Sequence, residues 1–282
     1  MKVRRYLGKT RPDRGFSYNG TVGRWWRERA ANSAHKRAYV NIANFIRNSF
    51  HRDPRLIVDY ACGAGDLLSL LCRRFPHSQI AGLDGSSLLL NLAEKRLSRL
   101  PLSCANRISL IETSLPGPVS PRQCADLVLF CFPNMMPSRN EEKTIGPGFH
   151  LSKADQKIAE CLSHAREPQN GGDINPRAIK RALEYGRTIS KNLRGLLVRG
   201  GICVRAEYAT TRRHEWSPLE LLLVSFEEGS LDAPVDGTRP QLWFRVLAST
   251  YFRSRVLEDV FQQTADERDK SGGYLVTILR AI

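Results

Sequence analysis

Two aspartates and a pair of closely spaced glycines carry the first chemical signal in this chain. Asp59 stands four residues before Gly63 in Val58-Asp59-Tyr60-Ala61-Cys62-Gly63-Ala64-Gly65, and Asp84 follows about 20 residues later in Ala81-Gly82-Leu83-Asp84-Gly85-Ser86. Two glycines one residue apart let the backbone turn sharply and approach a ligand where a side chain would collide. An acid ending the next strand can accept hydrogen bonds from the two hydroxyls of a ribose. Strand, glycine turn, helix, strand and acid together make a nucleoside site. The turn is not a dinucleotide fingerprint, because Leu68 occupies the place of the last glycine in G-x-G-x-x-G. It is not a P-loop either, because no Gly-Lys-Ser/Thr follows.

On these residues the sequence resembles the class I S-adenosylmethionine-dependent methyltransferases. The run from Val58 to Gly65 looks like their first motif, D-x-G-x-G-x-G after a hydrophobic strand, with Ala61 replacing the first glycine. Ala81 to Ser86 is similar to the second motif, and Asp126 to Phe132 to the motif of the fourth strand. Leu196-Leu197-Val198-Arg199-Gly200-Gly201 is similar to the segment entering the fifth strand, and Thr113 and Ser114 fall where the family contacts the adenine. The resemblance implies S-adenosyl-L-methionine as cofactor, held by Asp59, Ala61, Cys62, Gly63, Gly65, Asp84, Gly85, Ser86, Thr113, Ser114 and Phe130. It also implies a methyltransferase acting on a nitrogen or oxygen nucleophile of a small metabolite or natural product. Two alternatives stand beside it: an RNA or ribosomal-protein methyltransferase using the basic N-terminal segment, and a noncatalytic family member that binds the cofactor and works through a partner.

Methyl transfer from a sulfonium is an in-line displacement with an excellent leaving group, so positioning is the protein's main task. A general base is required only for a poorly acidic nucleophile. The acceptor-side candidates are Asn134, after the fourth strand, and Glu207 and His214, in and after the fifth. Asn134 reads equally as a turn residue, and His214, beside Arg212 and Arg213, as a solvated loop histidine. Tyr18, Arg24, Trp25 and Trp26 in the N-terminal segment can close the cofactor pocket through cation–π and carboxylate contacts, or fasten the first helix to the domain. No cluster with metal-ligand spacing is present, and no metal is expected.

The elements that must position these groups alternate along the chain. Apolar residues recur at helical spacing from Arg24 to Arg47. Short apolar runs at Leu56–Ala61, Gln79–Leu83, Arg107–Glu112, Ala125–Phe132, Ile202–Tyr208 and Gly273–Leu279 read as strands, those buried on both faces being continuously apolar. Helices are expected near Asp66–Phe75, Ser86–Leu100, Pro176–Val198 and Arg253–Gln263, with Gly200-Gly201 stopping the third of these. Such alternation demands a mostly parallel sheet covered on both faces. The expected fold is therefore α/β, a Rossmann-like three-layer sandwich around a seven-stranded sheet. Residues 1–54 form a basic N-terminal helical arm and 55–282 the domain, with a polar insertion at 137–175 and a second insertion at 209–252.

Composition narrows the classes further. The chain has 282 residues and a formal charge of +15, and the first 55 residues hold fourteen basic and three acidic side chains. Such a segment attracts phosphates or carboxylates, which makes RNA a candidate partner beside the small acceptor. No run approaches the roughly 18 apolar residues that span a bilayer, so no membrane association is expected. Seven cysteines without a CxxC pair argue against disulfides and zinc and fit a reducing, cytoplasmic setting.

Overall fold

A computed structural model describes residues 4–7, 33–113, 115, 122–132, 189–210, 243–253 and 272–282. Among these, eight strands form one sheet: β1 (Arg4–Leu7), β2 (Leu56–Tyr60), β3 (Gln79–Asp84), β4 (Ile108–Glu112), β5 (Ala125–Cys131), β6 (Leu197–Thr210), β7 (Phe244–Arg253) and β8 (Gly272–Ala281). Their order across the sheet is β1-β4-β3-β2-β5-β6-β8-β7. Pairing is parallel from β1 through β6, and β8 runs antiparallel to both β6 and β7. The six runs read as strands are β2 to β6 and β8, and β7 from the second insertion brings the number to the expected seven. The eighth, β1, comes from the arm, and lays Arg4 opposite Ser109 and Leu7 opposite Glu112, covering what would otherwise be an open edge of β4.

Helices α1 (Ser33–Ser49), α2 (Asp66–Arg74), α3 (Ser87–Leu97) and the single turn α4 (Leu102–Ala105) all pack on one face. The buried stripe of α1, Ala38, Ile42 and Ile46, meets Leu68 and Leu71 of α2 and the strand residues Ile57, Ile80 and Leu129 in one core. On the other face, residues 189–196, labelled α5, place Ile189, Leu193 and Leu196 against Val58, Val128 and Phe130. The two layers follow from the strand period of two: alternate residues of β2 and β5 enter opposite cores.

Helix boundaries follow local chemistry. The Ser86 hydroxyl accepts from Leu89 N–H at 3.2 Å and starts α3. Arg107 ends α2 by donating to the carbonyls of Cys72, Phe75 and Ser78 at 2.6, 2.8 and 2.7 Å. The helix expected to reach Val198 ends two residues earlier, and Gly200-Gly201 lies inside β6. There Ala125 pairs with Leu197 and Leu127 with Ile202, so β6 carries extra residues as a bulge, with Gly200 at φ 75°. Of the second insertion, Phe244 to Phe252 proves to be β7, and Arg253, expected to begin a helix, ends that strand. The segment 137–175 lies outside the described residues.

Candidate cofactor site

The chain leaves β2 for β3 and β4 on one side, then returns to β5 on the other, so strand order reverses between β2 and β5. In open parallel sheets this reversal opens a ligand crevice at the carboxyl ends of the strands. Here those ends carry the glycine turn, Asp59, Asp84, Thr113 and Phe132.

Ala61, Gly63 and Gly65 adopt φ of 66°, 54° and 76°, the left-handed region that favours glycine. Cys62 N–H donates to the Leu83 carbonyl at 2.9 Å and ties the turn to β3. The close approach that the missing third glycine would have allowed is supplied from the neighbouring strand. A Cβ on Gly82 would lie 2.6 Å from Leu68 Cδ1 and 2.9 Å from Cys62 Sγ. Gly82 therefore makes room for Leu68, and α2 closes down on β3 beneath the turn.

Asp84 is only 7% exposed. Its carboxylate accepts from Gly63 N–H at 2.8 Å and Ser86 N–H at 2.9 Å, and also from Gly85 N–H. Three of its roughly four acceptor positions are thus filled, leaving one edge for a ligand hydroxyl. Burial lifts its pKa to about 6 against the pull of those N–H groups. Asp59 is 3% exposed, and no hydrogen bond reaches its carboxyl among the described residues. Burial, reinforced by the Asp84 charge, pushes its pKa up to about 8. A buried acid without a donor is costly, and a cationic ligand placed beside it would relieve that cost.

The sequence-predicted residues divide clearly. The structure brings Asp59, Ala61, Cys62, Gly63, Gly65, Asp84, Gly85, Ser86 and Thr113 together at this one end of the sheet, with Thr113 N–H bonded to the Asp84 carbonyl at 3.0 Å. Phe130 is not among them: it faces the opposite core, edge-on to Tyr60 at 5.6 Å. Glu207 lies on β6 opposite Leu275, with its side chain outside the described residues. Tyr18, Arg24, Trp25, Trp26, Ser114, Asn134 and His214 also lie outside them.

Sequence reasoning missed the aromatic group that α1 brings to this end of the sheet. His35 and Tyr39, one turn apart, meet the Phe132 ring edge-on, each at 5.7 Å. Tyr274 adds a third edge-on contact to Phe132, and Asn41 donates to the Tyr274 hydroxyl at 3.0 Å. The signal was present, since positions 35 and 39 extend the buried stripe of α1. Arg96 of α3 completes the rim, donating to the Ala64 carbonyl at 2.9 Å and pairing with Asp66.

An open sheet in this order, with a glycine turn after its central strand and an acid ending the next, is the class I methyltransferase fold. Comparison with known proteins agrees. Magnesium protoporphyrin IX methyltransferase from Synechocystis PCC 6803, solved with bound SAM, superposes with a TM-score of 0.50 at 12% identity, over 93% of this chain and 92% of that one. In sequence, trans-aconitate 2-methyltransferase of Acidovorax sp. (strain JS42) is 39% identical over 84 residues, 30% of this chain and 31% of that protein. Malonyl-[acyl-carrier protein] O-methyltransferase of Priestia megaterium (strain DSM 319 / IMG 1521) is 33% identical over 70 residues, 25% of this chain and 23% of that protein. The match thus spans less than a third of the length of either relative. No protein-family model matches the chain.

Proposed function

We propose that this protein is an S-adenosylmethionine-dependent methyltransferase acting on an oxygen or nitrogen nucleophile of a small acceptor. The observation that carries the reading is the pair of buried carboxyls at the reversal point, one with an edge left for a ribose and one with no donor among the described residues. S-adenosylmethionine bears a vicinal diol, a positive sulfur and an ammonium group, which are the complements of that pair. When bound, it supplies an electrophilic methyl group. Among the chain's own residues, Asp84 would hold the sugar and Asp59 a cationic group. The turn at Ala61 to Gly65 would let backbone pack against the ligand and keep water out. Positioning of this kind is worth roughly 7–11 kcal/mol of barrier, so the scaffold need carry no fixed catalytic constellation.

The names of the two curated relatives point to carboxylic acids as the first acceptors to try. The test is transfer of a labelled methyl group from S-adenosylmethionine to a panel of small carboxylic acids and amines, with bulk RNA as a parallel acceptor. Label that enters a small acid and is released by mild base, as an ester is, supports oxygen methylation. Base-stable label in an amine supports nitrogen methylation. Label that enters only RNA contradicts the small-acceptor reading.

A further inference from the structure

The two ends of the sheet carry opposite charge. Asp59, Asp66, Asp84 and Glu112 gather at the carboxyl ends of β2 to β4, where the cofactor crevice opens. Arginines stand at the amino ends. In the strand order β2-β5-β6-β8-β7, Arg52 precedes β2, Arg122 precedes β5 and Arg199 lies in the bulge of β6. Arg280 is the last residue but one of β8, and Arg245 the second of β7. All five are exposed, and among the described residues none makes an ion pair or a side-chain hydrogen bond. Neighbouring strands lie 4.7–4.9 Å apart, so four steps carry the row across roughly 19 Å.

The acids beside this row are occupied elsewhere. Asp53 pairs with Arg47 at 3.4 Å and accepts from His77 N–H at 3.0 Å. Asp126 accepts from the N–H groups of Arg55 and Leu56 at 2.9 and 3.1 Å and pairs with the Arg55 side chain. Both carboxylates thus fasten the loops entering the strands. At the far end of the row, Arg245 stands directly opposite Arg280 on the neighbouring strand. Opposed residues share a face, and like charges placed so destabilise the pair. Folding gains nothing from that juxtaposition, whereas an anion seated between the two guanidinia would relieve it.

We propose that the amino end of the sheet is a docking surface for single-stranded nucleic acid, whose phosphates bridge the row of arginines from β2 to β7. Every member of the row is arginine, whose planar fork meets phosphate oxygens in bidentate fashion. A line of single charges matches a strand with one charge in every repeat, while a duplex presents two backbones and a membrane a plane. The acids at the carboxyl end repel the same backbone, so the strand docks away from the crevice and is not the methyl acceptor. The surface is distinct from the basic N-terminal segment, since four of its five arginines lie beyond residue 55.

The test is fluorescence anisotropy with a labelled oligouridine, on the full chain and on a variant carrying Arg122→Gln, Arg199→Gln, Arg245→Gln and Arg280→Gln. Neutralising five phosphates of a single strand gives a slope of log affinity against log salt near −3.5, about 100-fold between 50 and 200 mM. The fourfold variant should flatten that slope to about −0.7, with S-adenosylmethionine affinity unchanged. The double variant Arg245→Gln, Arg280→Gln gives a second reading: a slope flatter by about 1.4 and a thermal midpoint no lower than that of the wild type. An unchanged slope in the double variant overturns the proposal even where the fourfold variant fails to fold. So does a wild-type chain that binds no oligouridine at low salt, or a variant that loses S-adenosylmethionine and oligouridine together. Equal affinity for polyglutamate or for phosphatidylserine vesicles assigns the surface to an acidic protein or a membrane and overturns it as well.

Discussion

Ala61 holds a backbone angle, φ 66°, that costs an L-residue about 1–2 kcal/mol. Glycine adopts it freely but loses about 0.5–1 kcal/mol more in conformational entropy on folding. Ala61→Gly is therefore expected to stabilise the protein by about 0.5–1 kcal/mol in urea unfolding, and a loss of stability would show that the Ala61 methyl packs usefully in the turn. Asp59 gives a sharper expectation. Its pKa rises from an ordinary 3.8 to about 8 on folding, through burial first and the Asp84 charge second. Between those values the unfolded chain has given up the proton and the folded chain keeps it, so stability of the cofactor-free protein falls as pH rises through that window. Asp84, raised to about 6, adds to the fall over the lower part of the same range. Thermal melts at pH 5 and pH 8.5 should show a smaller drop for Asp59→Asn than for the wild type. An equal drop would mean that Asp59 ionises without penalty.

At the scale of elements, the site depends on how closely α2 approaches β3. Gly82→Ala would drive a methyl group into Leu68 and Cys62 at distances real contacts do not show. Overpacking of this kind costs about 1–3 kcal/mol, and here it falls directly under the glycine turn. The expected outcome is a lower unfolding midpoint together with weaker cofactor binding. A variant of wild-type stability would show that α2 shifts freely. This coupling also marks the limit of what spacing reveals. The order Asp59, glycine turn, Asp84 is local, and its chemistry reads directly from residue types. The substitution of Leu68 for a glycine reads as a departure until Gly82 is found beneath it, because strand neighbours are distant in sequence. Gly200-Gly201 reads as a helix stop, but in the sheet the same freedom makes a bulge between β5 and β6. The edge strand β1 was illegible for a different reason: four residues carry no period, and their pairing is set by the open edge of β4. Tyr39 escaped notice because a tyrosine on an apolar stripe reads as ordinary packing, and only the fold brings its ring against Phe132.

At the scale of the whole molecule, the parts agree on one architecture. Among the described residues no helix is long and apolar enough to cross a membrane, and no cluster of side chains suited to a metal ion occurs. The sheet reverses its strand order where the two buried aspartates sit, and α1 closes over that end with aromatic side chains. The formal charge of +15 favours anionic partners in general, so an acidic small acceptor suits it as well as a polymer does. The most direct measurement is a calorimetric titration of the full chain and its Asp84→Ala variant with S-adenosylmethionine and, separately, with a nicotinamide dinucleotide. The account predicts one S-adenosylmethionine site per chain and affinity lower by on the order of 100-fold in the variant, as loss of a charged hydrogen bond to the ribose together with the Asp84 contacts that hold the Gly63 turn would give. It also predicts no dinucleotide binding. Undetectable S-adenosylmethionine binding at millimolar concentration, or a dinucleotide bound in its place, would contradict it.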